Sequence, residues 1–172
     1  MARVAFILDE MFEDSEFKYP YDRTKEAGHD TVVIGLEKGK TVAGKKGKEE
    51  ITTDAAISEV SPEDFDALVI PGGYSPDKIR SDRNMVEFTR AMASSGKPVA
   101  AICHAGWMLA EADVIKGKTV TSWPSIKTDL VNSGANWVDQ EVVGDENLIT
   151  SRKPDDLEAF TKVLLSQVEQ KS

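Results

Sequence analysis

The stretch Pro98-Val99-Ala100-Ala101-Ile102-Cys103-His104-Ala105-Gly106 decides the fold. Its first half is a short, unbroken apolar run, the pattern of a strand buried on both faces in a parallel sheet covered by helices. Its second half turns to small residues and runs into a helical stretch from Gly106 to Ala112. Strand therefore passes into helix at Cys103. The same alternation extends outward in both directions. Val4 to Leu8 is a buried strand followed by a helical stretch that Gly28 closes, with Pro20 expected to kink or restart it. Thr31 to Ile34 is a second strand, and Ala67 to Ile70 a third. The third is introduced by Ser61 as an N-cap with Pro62 at the first helical position and followed by Pro71-Gly72-Gly73. Met85, Phe88 and Met92 recur at helical spacing, and Gly96 supplies the stop. Downstream lie a strand at Thr119 to Thr121, a helix capped by Ser125 and ended by Gly134, and a hairpin turning at Gly144 to Asn147. A last helix shows Leu157, Phe160, Leu164 and Val168 on one face. The lysine-rich segment Glu37 to Glu50 reads as a solvated surface hairpin. The order implies an α/β fold, a mainly parallel sheet with helices on both faces plus surface hairpins. In such sheets ligands bind outside the carboxyl ends of the strands.

Composition bounds the rest. A chain of 172 residues corresponds to a single domain over residues 1–172. Lys+Arg 21 against Asp+Glu 30 gives a net charge of −9, which argues against a dedicated nucleic-acid binder. The apolar run near the N-terminus is too short for a secretory signal, and no stretch reaches the ~18 apolar residues of a spanning helix. A cytoplasmic location without membrane attachment is expected. The single cysteine and two histidines leave no thiolate-rich zinc site. There is neither a dinucleotide fingerprint nor a P-loop, so no cofactor and no metal are expected.

The chemistry gathers at three strand ends. Ala101-Ile102-Cys103-His104-Ala105 has the form of a nucleophile elbow, in which a strained strand-to-helix turn exposes the nucleophile and small neighbours let the elements approach. A thiol at a helix N-terminus beside His104 is expected to ionise below the usual ~8.5. A glycine pair, Gly72-Gly73, can aim backbone N–H groups at an oxyanion. Glu13, after the first strand, would bring a carboxyl group to the same rim and hydrogen-bond the sulfur. Each feature alone has a plainer reading: a buried small hydrophobe, a turn, a helix-terminal charge.

Together, Phe12-Glu13-Asp14-Ser15-Glu16, Tyr19-Pro20-Tyr21, Phe65 to Gly73, Gly96 to His104 and Asn136-Trp137-Val138-Asp139 resemble the PfpI intracellular-protease family, within the superfamily of the Parkinsonism-associated deglycase. The resemblance covers residues 3 to 165 and implies a flavodoxin-like three-layer sandwich. It also implies Cys103 as nucleophile with His104 adjacent, Glu13 as the thiol's carboxyl partner, and oxyanion-hole N–H groups from Gly73 and His104. By the same resemblance Asp77 reaches across a subunit interface to a neighbour's His104, so a homo-oligomer, dimer or hexamer, is expected. Two positions depart from the pattern: Ala105 stands where the family has glycine, and Asp77 where it has glutamate.

The implied function is an intracellular cysteine-dependent hydrolase of carbonyl or protein stress. Its substrates would be small carbonyl compounds such as glyoxal and methylglyoxal, or the glycated proteins and peptides they form. Peptidase and glyoxalase-type lyase chemistry use the same groups. The alternative is a non-enzymatic redox sensor or holdase that uses oxidation of the same cysteine. A glutamine-amidotransferase-like module is disfavoured because no histidine follows His104.

Overall fold

The computed structural model describes residues 1–171. In chain order its strands are β1 (Arg3–Ile7), β2 (Asp30–Gly35), β3 (Thr41–Ala43), β4 (Glu50–Thr52), β5 (Ala55–Ala56), β6 (Ala67–Ile70), β7 (Val99–Ile102), β8 (Thr119–Val120), β9 (Asn136–Trp137), β10 (Val143–Asp145) and β11 (Leu148–Ser151). The helices are α1 (Asp14–Glu26), α2 (Ser75–Ile79), α3 (Arg83–Ser94), α4 (Gly106–Glu111), α5 (Lys127–Asn132) and α6 (Leu157–Lys171). Seven strands form one sheet in the order β10-β11-β7-β6-β1-β2-β5, parallel throughout except for the edge pair β10–β11. This is the mainly parallel α/β sheet expected from the alternation of elements, and the flavodoxin-like arrangement that the resemblance implies.

The apolar runs explain why the sheet lies in the middle. Successive strand side chains point to opposite faces, and here both faces are covered. Ala5, Ile7, Leu68, Ile70, Val99 and Ala101 pack into one core with Met85, Met92 and Met108. Val4, Phe6, Val69, Ala100 and Ile102 pack into the other with Phe17, Phe160 and Leu164. A run without polar alternation is what a strand needs when neither face meets water.

Local signals hold with some revisions. Asp82 caps α3, its Oδ1 accepting from Met85 N at 2.9 Å. The Ser61-Pro62 start opens only a short 3-10 turn, Pro62–Asp64. Helix α1 continues through Pro20. Pro20 is buried with Phe17 and Thr24 on the packed face, and that packing carries the helix past the missing N–H. Ser125 gives α5 no side-chain cap and turns elsewhere. No described helix is long and apolar enough to cross a membrane.

The segment from Glu37 to Glu50 does form a hairpin, with β3 antiparallel to β4, but its tip is not solvated on all sides. The Asp14 carboxylate, at the start of α1, accepts from the backbone N–H groups of Lys46, Lys48 and Glu49, each at 2.9 Å. Burial would raise the Asp14 pKa, and these donors more than offset that, leaving it lowered. Lys45 N donates to Phe12 O at 2.8 Å. The tip is thereby fastened to the loop that follows β1. Asp14→Ala should strand these donors and lower unfolding free energy by about 2–4 kcal/mol, read from the denaturant midpoint. A change below ~0.5 kcal/mol would show that the clamp carries little stability.

Candidate active site

Cys103 lies where β7 ends, with backbone φ of 63°, in the left-handed region that costs an L-residue roughly 1–2 kcal/mol. That turn lifts the side chain out of the sheet while leaving the residue only 8% exposed. Its carbonyl accepts from Trp123 N at 3.2 Å, which ties the elbow to the segment after β8. Backbone N–H groups of Gly73 and His104 lie on the side of the sulfur and favour its ionised form. Gly73 has φ of 83°, and a Cβ there would sit 2.5 Å from Glu13 N. At Gly72 a Cβ would collide with Glu16 Oε1 and stand 2.8 Å from Cys103 Cβ. Only a glycine pair lets β6, α1 and the elbow meet this closely.

The carboxyl that meets the thiol is Glu16, not Glu13. Glu16 is fully buried, accepts from Gly72 N at 2.9 Å, and lies within hydrogen-bonding reach of the Cys103 side chain. Glu13 is also buried, but its two oxygens face Lys45 Nζ and Lys46 Nζ, each at 2.9 Å. The expectation that Glu13 serves the sulfur is thus corrected by geometry. Glu13 is the extended residue preceding α1 and points to the hairpin, while Glu16 lies in the first turn and points under Gly72.

Charge follows from this arrangement. Burial, and then the negative charge of Glu13, push Glu16 up to about 8. Burial would raise Glu13, but Lys45 and Lys46 outweigh it and hold Glu13 low. Burial and the Glu16 charge push the Cys103 thiol up to about 12, against the N–H groups of His104 and Gly73. The helix terminus and His104 are expected to lower the thiol; desolvation and a neighbouring acid outweigh them. Glu16 and Cys103 form a coupled pair. The acid gives up its proton first and the thiol keeps its own at pH 7, so the thiolate forms only when a base such as His104 Nδ1, 3.3 Å from the sulfur, takes the thiol proton.

His104 completes the centre. Its Nδ1 is 3.3 Å from Cys103 Sγ and its Nε2 3.3 Å from Ser125 Oγ. Burial, and then the charge of Lys45, hold it below its ordinary pKa, so it is neutral at pH 7 and able to take up a proton. Trp107 and Trp123 flank the ring, with centroids 5.1 and 6.3 Å away. Asp77 lies exposed on α2, and no hydrogen bond or ion pair among the described residues joins it to His104. His29, the second histidine, is at the opposite end of the sheet, where its Nδ1 accepts from Ala2 N at 3.0 Å.

Glu13, Glu16, Lys45, Lys46, Cys103, His104, Trp123 and Pro154 line a pocket of about 300 Å³ over the carboxyl ends of β1, β6 and β7. Sequence reasoning missed Glu16, read Ser125 as a helix cap, and preferred a solvated hairpin to an anionic-ligand patch for the segment that carries the two lysines. A signal for Glu16 existed: it is a second carboxyl within three residues of Glu13, in the first turn of the helix that starts after the first strand.

The model of the DJ-1/PfpI family matches residues 2–167. The chain is 49% identical over 164 residues to "Protein/nucleic acid deglycase 2" of Escherichia coli K12, covering 95% of each protein. It is 48% identical over 168 residues to "General stress protein 18" of Bacillus subtilis, covering 97% of this chain and 98% of that protein. Among solved structures, Drosophila melanogaster DJ-1beta superimposes with a TM-score of 0.88 at 33% identity, covering 98% of this chain and 94% of the other.

Proposed function

The chain belongs to the DJ-1/PfpI family, and from that premise we propose that it is a cysteine-dependent enzyme of carbonyl stress, hydrolysing glyoxal or methylglyoxal adducts in the manner its deglycase-named relative suggests. The observation that carries the reading is the elbow itself: Cys103 at φ 63° at the end of β7, with His104 Nδ1 3.3 Å from its sulfur and with Gly72 and the buried Glu16 packed against it. The Cys103 sulfur adds to the carbonyl carbon. A C–S bond forms, and the C=O π pair moves onto oxygen, where the Gly73 and His104 N–H groups lower its cost. His104 Nδ1, 3.3 Å from the sulfur, takes the thiol proton as the C–S bond forms, and Glu16, protonated at pH 7, sets no negative charge beside the sulfur. His104 then passes that proton to the amine or thiol of the adduct as its bond to the adduct carbon breaks. Water, deprotonated by the now neutral His104, cleaves the C–S bond and returns Cys103 as the thiol. Peptide cleavage would use the same first step; the compact pocket, without extended subsites, favours small carbonyl adducts.

A second reading has one observation behind it. Two N–H donors and a protonatable carboxyl around one sulfur would also hold the oxygens of a sulfinate, which suits a redox-sensing stress protein. Methylglyoxal, a glycated peptide and a labelled protein, each assayed with wild type and Cys103→Ser, separate the readings. Loss of adduct turnover in the variant supports the enzyme. Absent turnover in wild type, with a thiol that oxidises readily, supports the sensor.

His104 needs a third group to orient it. Within the chain that group is Ser125. Our reading adds Asp77 from a neighbouring copy, in a dimer or hexamer. Asp77→Asn should then lower kcat about tenfold with assembly intact, and dilution to monomer should do the same. Light scattering with activity measured over one concentration range checks this, and a fully active monomer removes Asp77 from the site.

A further inference from the structure

The hairpin tip delivers two lysines to the pocket of an acidic protein. Lys45 and Lys46 both line the Cys103 pocket, in a chain of net charge −9. They share one carboxylate, each Nζ taking a different oxygen of Glu13 at 2.9 Å. Two cations therefore face one anion. The other acids nearby do not restore the balance. Asp14 keeps its charge, but its oxygens are turned to the backbone N–H groups of the hairpin tip and it does not line the pocket, and Glu16 holds a proton at neutral pH. Neutral His104 adds no charge.

The backbone that carries the lysines is fixed in place before any ligand arrives, and both ammonium groups are already drawn to one carboxylate. Asp14 clamps the tip, Lys45 N bonds Phe12 O at 2.8 Å, and Lys45 Nζ lies 5.7 Å from the Tyr74 ring centroid. A pre-positioned cation pair loses little side-chain entropy on binding. Glu13 itself demonstrates that the fork accepts a carboxylate.

We propose that Lys45 and Lys46 form an anion subsite at the mouth of the Cys103 pocket, and that carbonyl substrates bearing a carboxylate are preferred there. The inference rests on Cys103 as the nucleophile for carbonyl substrates, and it goes further by giving them a charge. The plainer role for the lysines is to neutralise Glu13 and buttress the hairpin, in which case no anion is preferred.

Iodoacetate and iodoacetamide decide between these. In both, the same sulfur displaces iodide, so the ratio of their rates cancels thiolate fraction and reports the charge of the surroundings. Divided by the ratio for the neutral thiol N-acetylcysteine amide, the wild-type value should be about tenfold above one and fall as salt is added. Lys45→Gln with Lys46→Gln should bring it near one, and Lys46→Glu should carry it lower still. A wild-type value within about twofold of one, or one unchanged in the double variant, overturns the subsite; the wild-type measurement stands even if a variant misfolds. A matched pair tests the substrate half: the methylglyoxal hemithioacetal of N-acetylcysteine against that of its amide. The acid should lead in kcat/KM by about tenfold, a lead lost in the double variant; equal values overturn it. Alkylation needs no turnover, so failure of the enzymatic reading is seen separately, as adduct turnover that survives Cys103→Ala.

Discussion

Replacing Cys103 by alanine is expected to lower kcat/KM for methylglyoxal adducts by about a thousandfold or more, because a nucleophile has no substitute among groups that act as a unit. Residual turnover within tenfold of wild type would remove the sulfur from the chemistry. A companion variant separates chemistry from fold. The φ of 63° at Cys103 is strained for alanine and free for glycine, so Cys103→Gly should be more stable than Cys103→Ala by about 1 kcal/mol, although both are inactive. Equal midpoints in urea would show that the elbow stores no strain.

Changing Glu16 should have the second-largest effect, with opposite signs on reactivity and stability. Glu16→Leu removes the proton donor beside the sulfur and should slow Cys103 alkylation at pH 7 by about tenfold or more. Glu16→Gln keeps a donor and an acceptor for Gly72 N, so it should lose much less. It also removes the negative charge that helps push the thiol up to about 12, so the alkylation profile should turn at lower pH than in wild type. Equal loss in the two variants would detach Glu16 from the sulfur. Stability follows by linkage. The folded-state pKa of Glu16 is raised from 4.5 to about 8, so between those values the folded chain keeps a proton that the unfolded chain releases. Wild-type stability from this group is full below pH 4.5 and lost as pH rises toward 8, a loss on the order of 5 kcal/mol. Glutamine has nothing to titrate. The advantage of Glu16→Gln over wild type should therefore grow from pH 5 to pH 8.5 in urea melts, and a constant difference would show that Glu16 is not buried as a titrating acid.

Much of this protein is dictated locally. The runs Val4 to Leu8, Ala67 to Ile70 and Val99 to Ile102 contain no polar alternation, and such a strand is stable only with both faces covered; the order of strands and helices then leads to a parallel sheet with ligands at its carboxyl edge. Cys103 at a strand end between small residues, and Gly72-Gly73 at the next strand end, are likewise legible, because an elbow and a close approach need those residue types at those places.

Which carboxyl meets the sulfur was decided only by tertiary structure. Glu13 and Glu16 are three residues apart at the start of one helix, and nothing in their immediate neighbours distinguishes them. The distinction comes from Lys45 and Lys46, brought by a hairpin to draw Glu13 outward, and from Gly72, whose missing side chain admits Glu16. The thiol's pKa was misjudged for the same reason: a helix dipole is a local property, whereas desolvation and a buried acid arise only when distant segments close over the site. Pro20 and Ser125 teach the same lesson on a smaller scale. Packing by Phe17 and Thr24 outweighs proline's local break, and a serine suited to cap a helix faces His104 instead, because side chains answer to the partners that the fold places beside them.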